Sequence, residues 1–280
     1  HFRQNYIHQD DAQIGVKVFR DAVAAQQTHY SFEFRLLHRD GHSIPVLVRS
    51  RINYDAEGRP VRVSGTHQDL THIRKAQRRE TVRSFLLNLL AQDLSLPELL
   101  EQTVAQLETS MPGSLCTILL LDDEHKHIQQ GFGHSMPASF LHAFNGVAIG
   151  PNVGSCGASA HSGQPVYIAD IATHPNWAPF REIAQAAGLA ACWSQPVLLR
   201  DGQVAGTFAV YHRTVTEPHA DDAQLLEMAA RFVALAIERK QAESELQLSA
   251  AVLLQLNLPE GLVTHAIEDE RAQRVARLKL

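Results

Sequence analysis

Between Asp11 and Gln26, apolar residues recur at steps of three and four after an acidic start. Ile14, Val18, Ala22 and Ala25 share one face, which predicts a short amphipathic helix. Three segments that alternate β-branched and aromatic residues with polar ones follow it, Tyr30 to His38, Ser43 to Tyr54 and Arg62 to Asp69. Asp40-Gly41 and Asp55-Ala56-Glu57-Gly58 separate them, and both are hairpin signals, so the three predict an antiparallel meander. A basic polar stretch, Thr71 to Arg83, leads into Phe85, Leu86, Leu89 and Leu90. A second helix is expected from Ser95-Leu96-Pro97-Glu98, with Ser95 as its cap and Pro97 in its first turn.

Between Leu115 and Tyr211, strand-like runs (Cys116 to Asp122, Val166 to Asp170, Ser194 to Leu199, Val204 to His212) alternate with shorter helical and Gly-rich pieces. That is the pattern of an α+β domain built on one mainly antiparallel sheet, and Asp201-Gly202 turns the last two runs into a hairpin. From Asp221 onward, Leu225, Met228, Phe232, Leu235, Ala242, Leu246, Leu253 and Leu256 follow a heptad, interrupted by Arg239 and Ser249. A seam sustained over several heptads predicts a coiled coil in a parallel homodimer rather than a helix packed on its own domain. Its polar positions keep two registers close in energy. Leu258-Pro259-Glu260-Gly261 breaks that helix, and 258–280 carries a charged, weakly amphipathic segment with no assignment.

Composition then narrows the class. At about 150 residues per domain, 280 residues imply roughly two domains; 45% hydrophobic and 20% charged residues place the chain among globular proteins. A formal charge of -5 supplies no basic excess to neutralise phosphates, which argues against a nucleic-acid partner. Three cysteines, Cys116, Cys156 and Cys192, make no disulfide framework, and no leader-like segment opens the chain. A reducing cytoplasm is the expected location, with membrane anchoring of a longer parent left open. No run of 18 apolar residues exists to span a bilayer; the best stretch, Phe232 to Ile237, is too short.

Ile7-His8-Gln9-Asp10-Asp11, Phe34-Arg35-Leu36-Leu37-His38-Arg39-Asp40-Gly41 and Gly65-Thr66-His67-Gln68-Asp69-Leu70-Thr71 together resemble the C-terminal half of a PAS sensory domain over 1–76. Half a PAS sheet would leave its core face uncovered, so the native protein is expected to extend further toward the N-terminus. From about Leu86 to Ala242 the chain resembles a GAF domain. The resemblance is carried by Gly154-Ser155-Cys156-Gly157, Ile168-Ala169-Asp170-Ile171-Ala172-Thr173-His174-Pro175, Ala191-Cys192-Trp193-Ser194-Gln195-Pro196 and Gly206-Thr207-Phe208-Ala209-Val210-Tyr211. It is similar to the GAF domains that stand beside PAS domains in bacterial diguanylate cyclases, cyclic-di-GMP phosphodiesterases and hybrid histidine kinases. The expected organisation is a PAS half over 1–76, a helical linker over 77–94, a GAF domain over 95–242, and a helical linker with an unassigned segment over 243–280. The fold class is α+β, two antiparallel sheets joined and followed by long helical linkers. No Gly-Gly-Asp/Glu-Glu-Phe loop, Glu-Ala-Leu signature or phosphoacceptor-histidine box is present, so no catalytic residue is assigned.

For a GAF domain the resemblance implies a pocket between sheet and loop helices, and Phe132, Phe144, Val147, Tyr167, Ile171, Trp177, Phe180 and Trp193 are its candidate walls for a small-molecule ligand; as aromatic and aliphatic residues they also suit plain core. Cys156, between glycines and beside a predicted helix, is read as a small buried thiol, with a reactive thiol as the competing reading. Cys156 with Cys192 is also similar to the free methionine sulfoxide reductases, although the spacing differs from that family's cysteine set. Trp177-Ala178-Pro179-Phe180-Arg181-Glu182 holds no cysteine for a covalent bilin, and the helix over 11–26 holds no axial histidine for a PAS haem, His8 only preceding it. Cyclic-nucleotide motifs are absent after Asp170, and the cofactor is left unknown. Among 16 histidines, the pairs His125 with His127 and His38 with His42 sit at predicted turns and are read as solvated, so no metal site is assigned.

These readings converge on a regulatory region that senses a ligand or partner and relays it through a dimeric helical linker to a C-terminal output domain. A thiol enzyme and a ligand-free dimerisation module are the alternatives.

Overall fold

The computed structural model describes residues 6–255, and the chain divides between Thr81 and Val82 into two compact units. Leu256 of the expected seam, the Leu258 to Gly261 break and the segment after it lie outside the described residues.

In the first unit, helix α1 (Ile14–Ala24) precedes strands β1 (His29–Leu37), β2 (Ser43–Tyr54) and β3 (Pro60–Asp69), which pair antiparallel in the order β1-β2-β3. The meander follows the alternation in the sequence, whereas α1 starts three residues later than its period predicts. The cause is Asp11. It lies in a 3-10 turn over Gln9–Asp11, where its Oδ2 accepts the Arg35 backbone N–H at 2.7 Å and the guanidinium donates to both carboxylate oxygens at 2.8 Å. A carboxylate committed to β1 cannot cap the helix. Phe34, Val46 and Val48 form the small core, while β3 is exposed along its length, Val61 and Val63 included. Helix α2 (Thr71–Leu90) follows β3.

The second unit takes up the end of α2. Val82, Leu86 and Leu89, spaced by four and three, enter its core. Helix α3 (Leu96–Ser110) begins as the sequence predicts, with a capping box in which Glu98 Oε2 accepts the Ser95 backbone N–H at 2.8 Å. Such a cap contributes about 1 kcal/mol. Strands β4 (Ser114–Leu121) and β5 (Ile128–Phe132), helices α4 (Ala138–Ala143) and α5 (Cys156–Ser162), and strand β6 (Val166–Ile168) come next. A 3-10 segment (Pro175–Phe180), helix α6 (Arg181–Ala186), strands β7 (Ala191–Leu198) and β8 (Val204–His212), and helix α7 (Ala220–Gln255) complete the unit. The five strands form one antiparallel sheet in the order β5-β4-β8-β7-β6. At its centre Gly206 brings β8 close to β4, since a Cβ there would stand 2.3 Å from the Leu119 carbonyl oxygen.

Helix α7 departs from the expected seam. Leu225 and Phe232 are buried, but so are Leu226, Ala229, Ala230, Val233, Ala236 and Ile237, in one core with Trp193, Phe208 and Val210 of its own sheet. Its first half is therefore a domain helix with a broad apolar stripe, because the helix lies flat on a sheet and meets it over more than the two positions of a coiled-coil seam. Leu235 and Leu248 remain exposed. Among the described residues no helix is long and apolar enough to cross a membrane.

Candidate functional site

Strand period two gives the five-stranded sheet two chemically different faces. The register aligns Tyr167, Trp193, Val210 and Cys116 across β6, β7, β8 and β4, and Phe132, Ile118, Phe208 and Gln195 across β5, β4, β8 and β7. This face turns to α3 and α7. On the other face stand Ile168, Cys192, Tyr211 and Leu115 in one row and Ser194, Ala209 and Thr117 in the next, with Thr207 beside them. Helices α4, α5 and α6 and the 3-10 segment cover that second face.

The second face carries a buried polar cluster. Cys156, the first residue of α5, places its Sγ 3.5 Å from the Tyr211 hydroxyl, and Ser155 before it donates its hydroxyl to the Cys192 carbonyl at 3.2 Å. The Trp177 indole N–H in turn donates to Ser155 Oγ at 3.1 Å, which ties the 3-10 segment to the start of α5. Cys156 is 5% exposed and Cys192 fully buried. The neighbouring Cys192 thiol foremost, and then the Tyr211, Ser194 and Thr207 hydroxyls facing the sulfur, favour the Cys156 thiolate and outweigh desolvation, so its pKa is lowered from the ordinary thiol value. Burial pushes Cys192 and Tyr211 up instead. The Thr117, Ser194 and Thr207 hydroxyl oxygens are buried and meet no hydrogen-bond partner of ordinary geometry. Such a cradle of uncharged donors, facing one sulfur, is arranged to hold negative charge or a small polar guest.

The candidate wall residues separate along these faces. Phe144, Ile171, Trp177 and Phe180 gather over the thiol face, with Phe144 stacked on Phe180 at 5.1 Å and Trp177 edge-on to Tyr211 at 6.4 Å. Val147 packs at the margin of the same cluster. Trp193 and Phe132 point to the helix face, where Trp193 donates its indole N–H to the Thr216 carbonyl at 3.1 Å and lies 4.2 Å from the His212 ring. Tyr167 reaches the surface, its hydroxyl donating to Gln195 Oε1 at 3.3 Å. These three do not line one space with the other five. Cys116 also lies on the helix face, its thiol pushed up by burial and by the Glu108 charge.

Sequence reasoning passed over Tyr211, Ser194, Thr207, Thr117 and Ser155 as site residues. The signal was present: single hydroxyls inserted into otherwise apolar strands, as in Cys116-Thr117-Ile118 and Gly206-Thr207-Phe208.

The GAF domain model matches residues 93–238, more than half of the chain. The chain belongs to the GAF domain family. A PAS fold model matches residues 1–67, so a PAS segment precedes the GAF domain. A curated relative, the methyl sulfide methyltransferase-associated sensor of Methanosarcina acetivorans, is 31% identical over 242 residues, which make up 86% of this chain and 24% of the relative. The chain thus spans about a quarter of that relative's length. Among solved structures, the GAF domain of a phosphoenolpyruvate-protein phosphotransferase from Coxiella burnetii is similar to 62% of this chain over 99% of its own, with a TM-score of 0.51 and 14% identity. This likeness shows the fold alone. Free methionine-R-sulfoxide reductase from Neisseria meningitidis, in complex with its substrate, aligns over 60% of this chain and 93% of its own, with a TM-score of 0.47 and 20% identity.

Proposed function

We propose that the chain is the signal-receiving region of a longer signalling protein, in which the thiol and hydroxyl face of the GAF sheet receives a small molecule and α7 passes the change to an output domain. The observation that carries this reading is the double duty of β7 and β8. Cys192 and Tyr211 face the polar cluster, and their neighbours Trp193 and Val210 share a core with Leu225, Leu226 and Val233 of α7. A guest that shifts either strand on one face shifts the floor under α7 on the other, and α7 continues past the sheet to Gln255. A ligand acts here only through its difference in affinity for the two arrangements. The name of the Methanosarcina relative, a sensor, supports the reading.

The output is of the diguanylate cyclase, cyclic-di-GMP phosphodiesterase or histidine kinase class, and the working unit is a homodimer held in the cytoplasm through its helices. Leu87 of α2 and Leu235 and Leu248 of α7 support that arrangement as exposed leucines on helical segments of the second unit.

A thiol enzyme of the free methionine sulfoxide reductase type is the second reading, and the lowered Cys156 thiol is the observation in its favour. Against it, both sulfurs are buried, so a substrate as large as an amino acid reaches neither in this conformation. The deciding experiment lengthens α7 in the full-length parent. One residue inserted after Glu243 rotates everything downstream by about 100°, while seven restore the phase to within about 20°. Output activity should change sharply with one insertion and recover with seven; a smooth decline with length would overturn the helical relay.

A further inference from the structure

We propose that His38, Asp40 and His42 form a binding site for a divalent transition-metal ion of the zinc class at the tip of the β1–β2 hairpin. The two histidines frame the turn, one just after β1 and one just before β2. The backbone fixes their separation: His38 N–H donates to the His42 carbonyl at 2.8 Å, and Gly41 N–H to the His38 carbonyl at 2.9 Å. Gly41 sits at φ +91°, a conformation that suits glycine, and this lets the chain reverse within so few residues. Closed in this way, the turn stacks the two imidazole rings 4.5 Å apart and aims both Nδ1 atoms at one oxygen, Asp40 Oδ1, at 3.0 Å from His38 and 2.5 Å from His42.

Three donors from three side chains thus converge, all within 4.8 Å of one another. The sequence reading set His38 and His42 aside as solvated turn residues; Asp40, between them in the chain, adds a carboxylate to the pair. Two imidazole nitrogens and one carboxylate oxygen make a donor set that zinc takes at about 2.0–2.2 Å, whereas magnesium and calcium require oxygen ligands throughout. The side chains are 40%, 59% and 58% exposed, which leaves an open side for entry of the ion and for the water that completes its shell. Without a cation, the single oxygen serves both rings and also the His42 backbone N–H at 3.2 Å. A dipositive ion is the partner that uses both imidazole lone pairs at once.

Isothermal titration of zinc chloride into the 280-residue chain tests the site, with a His38→Ala/His42→Ala variant as the reference against the remaining histidines. The wild type should bind one more zinc per chain than the variant. Asp40→Asn should weaken that extra binding by about tenfold or more. Cobalt at the same site should give visible absorption that the variant lacks. Equal zinc stoichiometry and affinity in the wild type and the variant overturns the proposal. Should the double variant fail to fold, the amide resonances of residues 38–42 in the wild type decide. Shifts centred there on zinc addition support the site, and shifts confined elsewhere overturn it.

Discussion

On the face of the GAF sheet that meets α3 and α7, Cys116, Ile118, Phe208, Val210 and Trp193 pack as an apolar surface; on the opposite face, equally buried, Thr117, Ser194, Thr207 and Tyr211 bring hydroxyls to two thiols. Both faces are closed to water, yet a buried hydroxyl without a partner costs free energy that a buried methyl does not. The helix face is therefore built for stability. The thiol face carries the cost of hydroxyls buried without partners. The first unit supplies a third case, a buried polar group that is fully paired: Asp11, held by three hydrogen bonds from Arg35.

The largest effect is expected from breaking the helix face. Phe208→Ala removes a fully buried ring, and its loss should destabilise the GAF unit by about 3–5 kcal/mol in urea unfolding. A loss below about 1 kcal/mol would mean that this face is not the stabilising one.

A smaller effect should follow removal of the paired carboxylate. The Arg35 hydrogen bond is the main reason the Asp11 pKa stands lowered, at about 2. Because the folded value lies below the unfolded one near 3.9, the stability this pair contributes is fully present above that value and is lost as pH falls through about 2. Asp11→Asn should lower the melting temperature of the first unit at neutral pH by less than Phe208→Ala lowers that of the second. The penalty should shrink toward zero in the same acid window, as thermal melts across pH would read. A penalty that does not change with pH would assign Asp11 a packing role only.

The smallest change in stability is expected where hydroxyls lack partners. Thr207→Val with Ser194→Ala should leave the stability of the GAF unit within about 1 kcal/mol of the wild type, or raise it. The Cys156 thiol pKa should nevertheless rise, followed by thiolate absorbance against pH, because two of the hydroxyls that favour its thiolate are gone. A clear destabilisation with no shift in the thiol would show that these hydroxyls hold a structural partner instead of the sulfur.

Local order was readable from the chain by itself wherever a near-neighbour rule decides it. The three-strand meander follows from alternation and two turn signals, and the capped start of α3 follows from Ser95, Pro97 and Glu98 within four positions. The PAS and GAF assignments follow from short linear motifs. Three other outcomes depend on residues distant in sequence, and only the tertiary structure decided them. Asp11 shortens α1 because Arg35, twenty-four positions on, takes its carboxylate. The apolar stripe of α7 reads in the sequence as a coiled-coil seam, and burial with residues of β7 and β8 shows that its first half packs on the sheet of its own unit. The aromatic residues of β5, β6 and β7 look alike as candidate pocket walls because both faces of a covered sheet are buried and carry apolar residues, so a polar and apolar alternation does not mark the faces there. Register across β6, β7 and β8 alone sends Trp193 and Tyr167 to one side and Cys192, Ser194 and Tyr211 to the other, since a strand places successive side chains on opposite faces whatever their polarity.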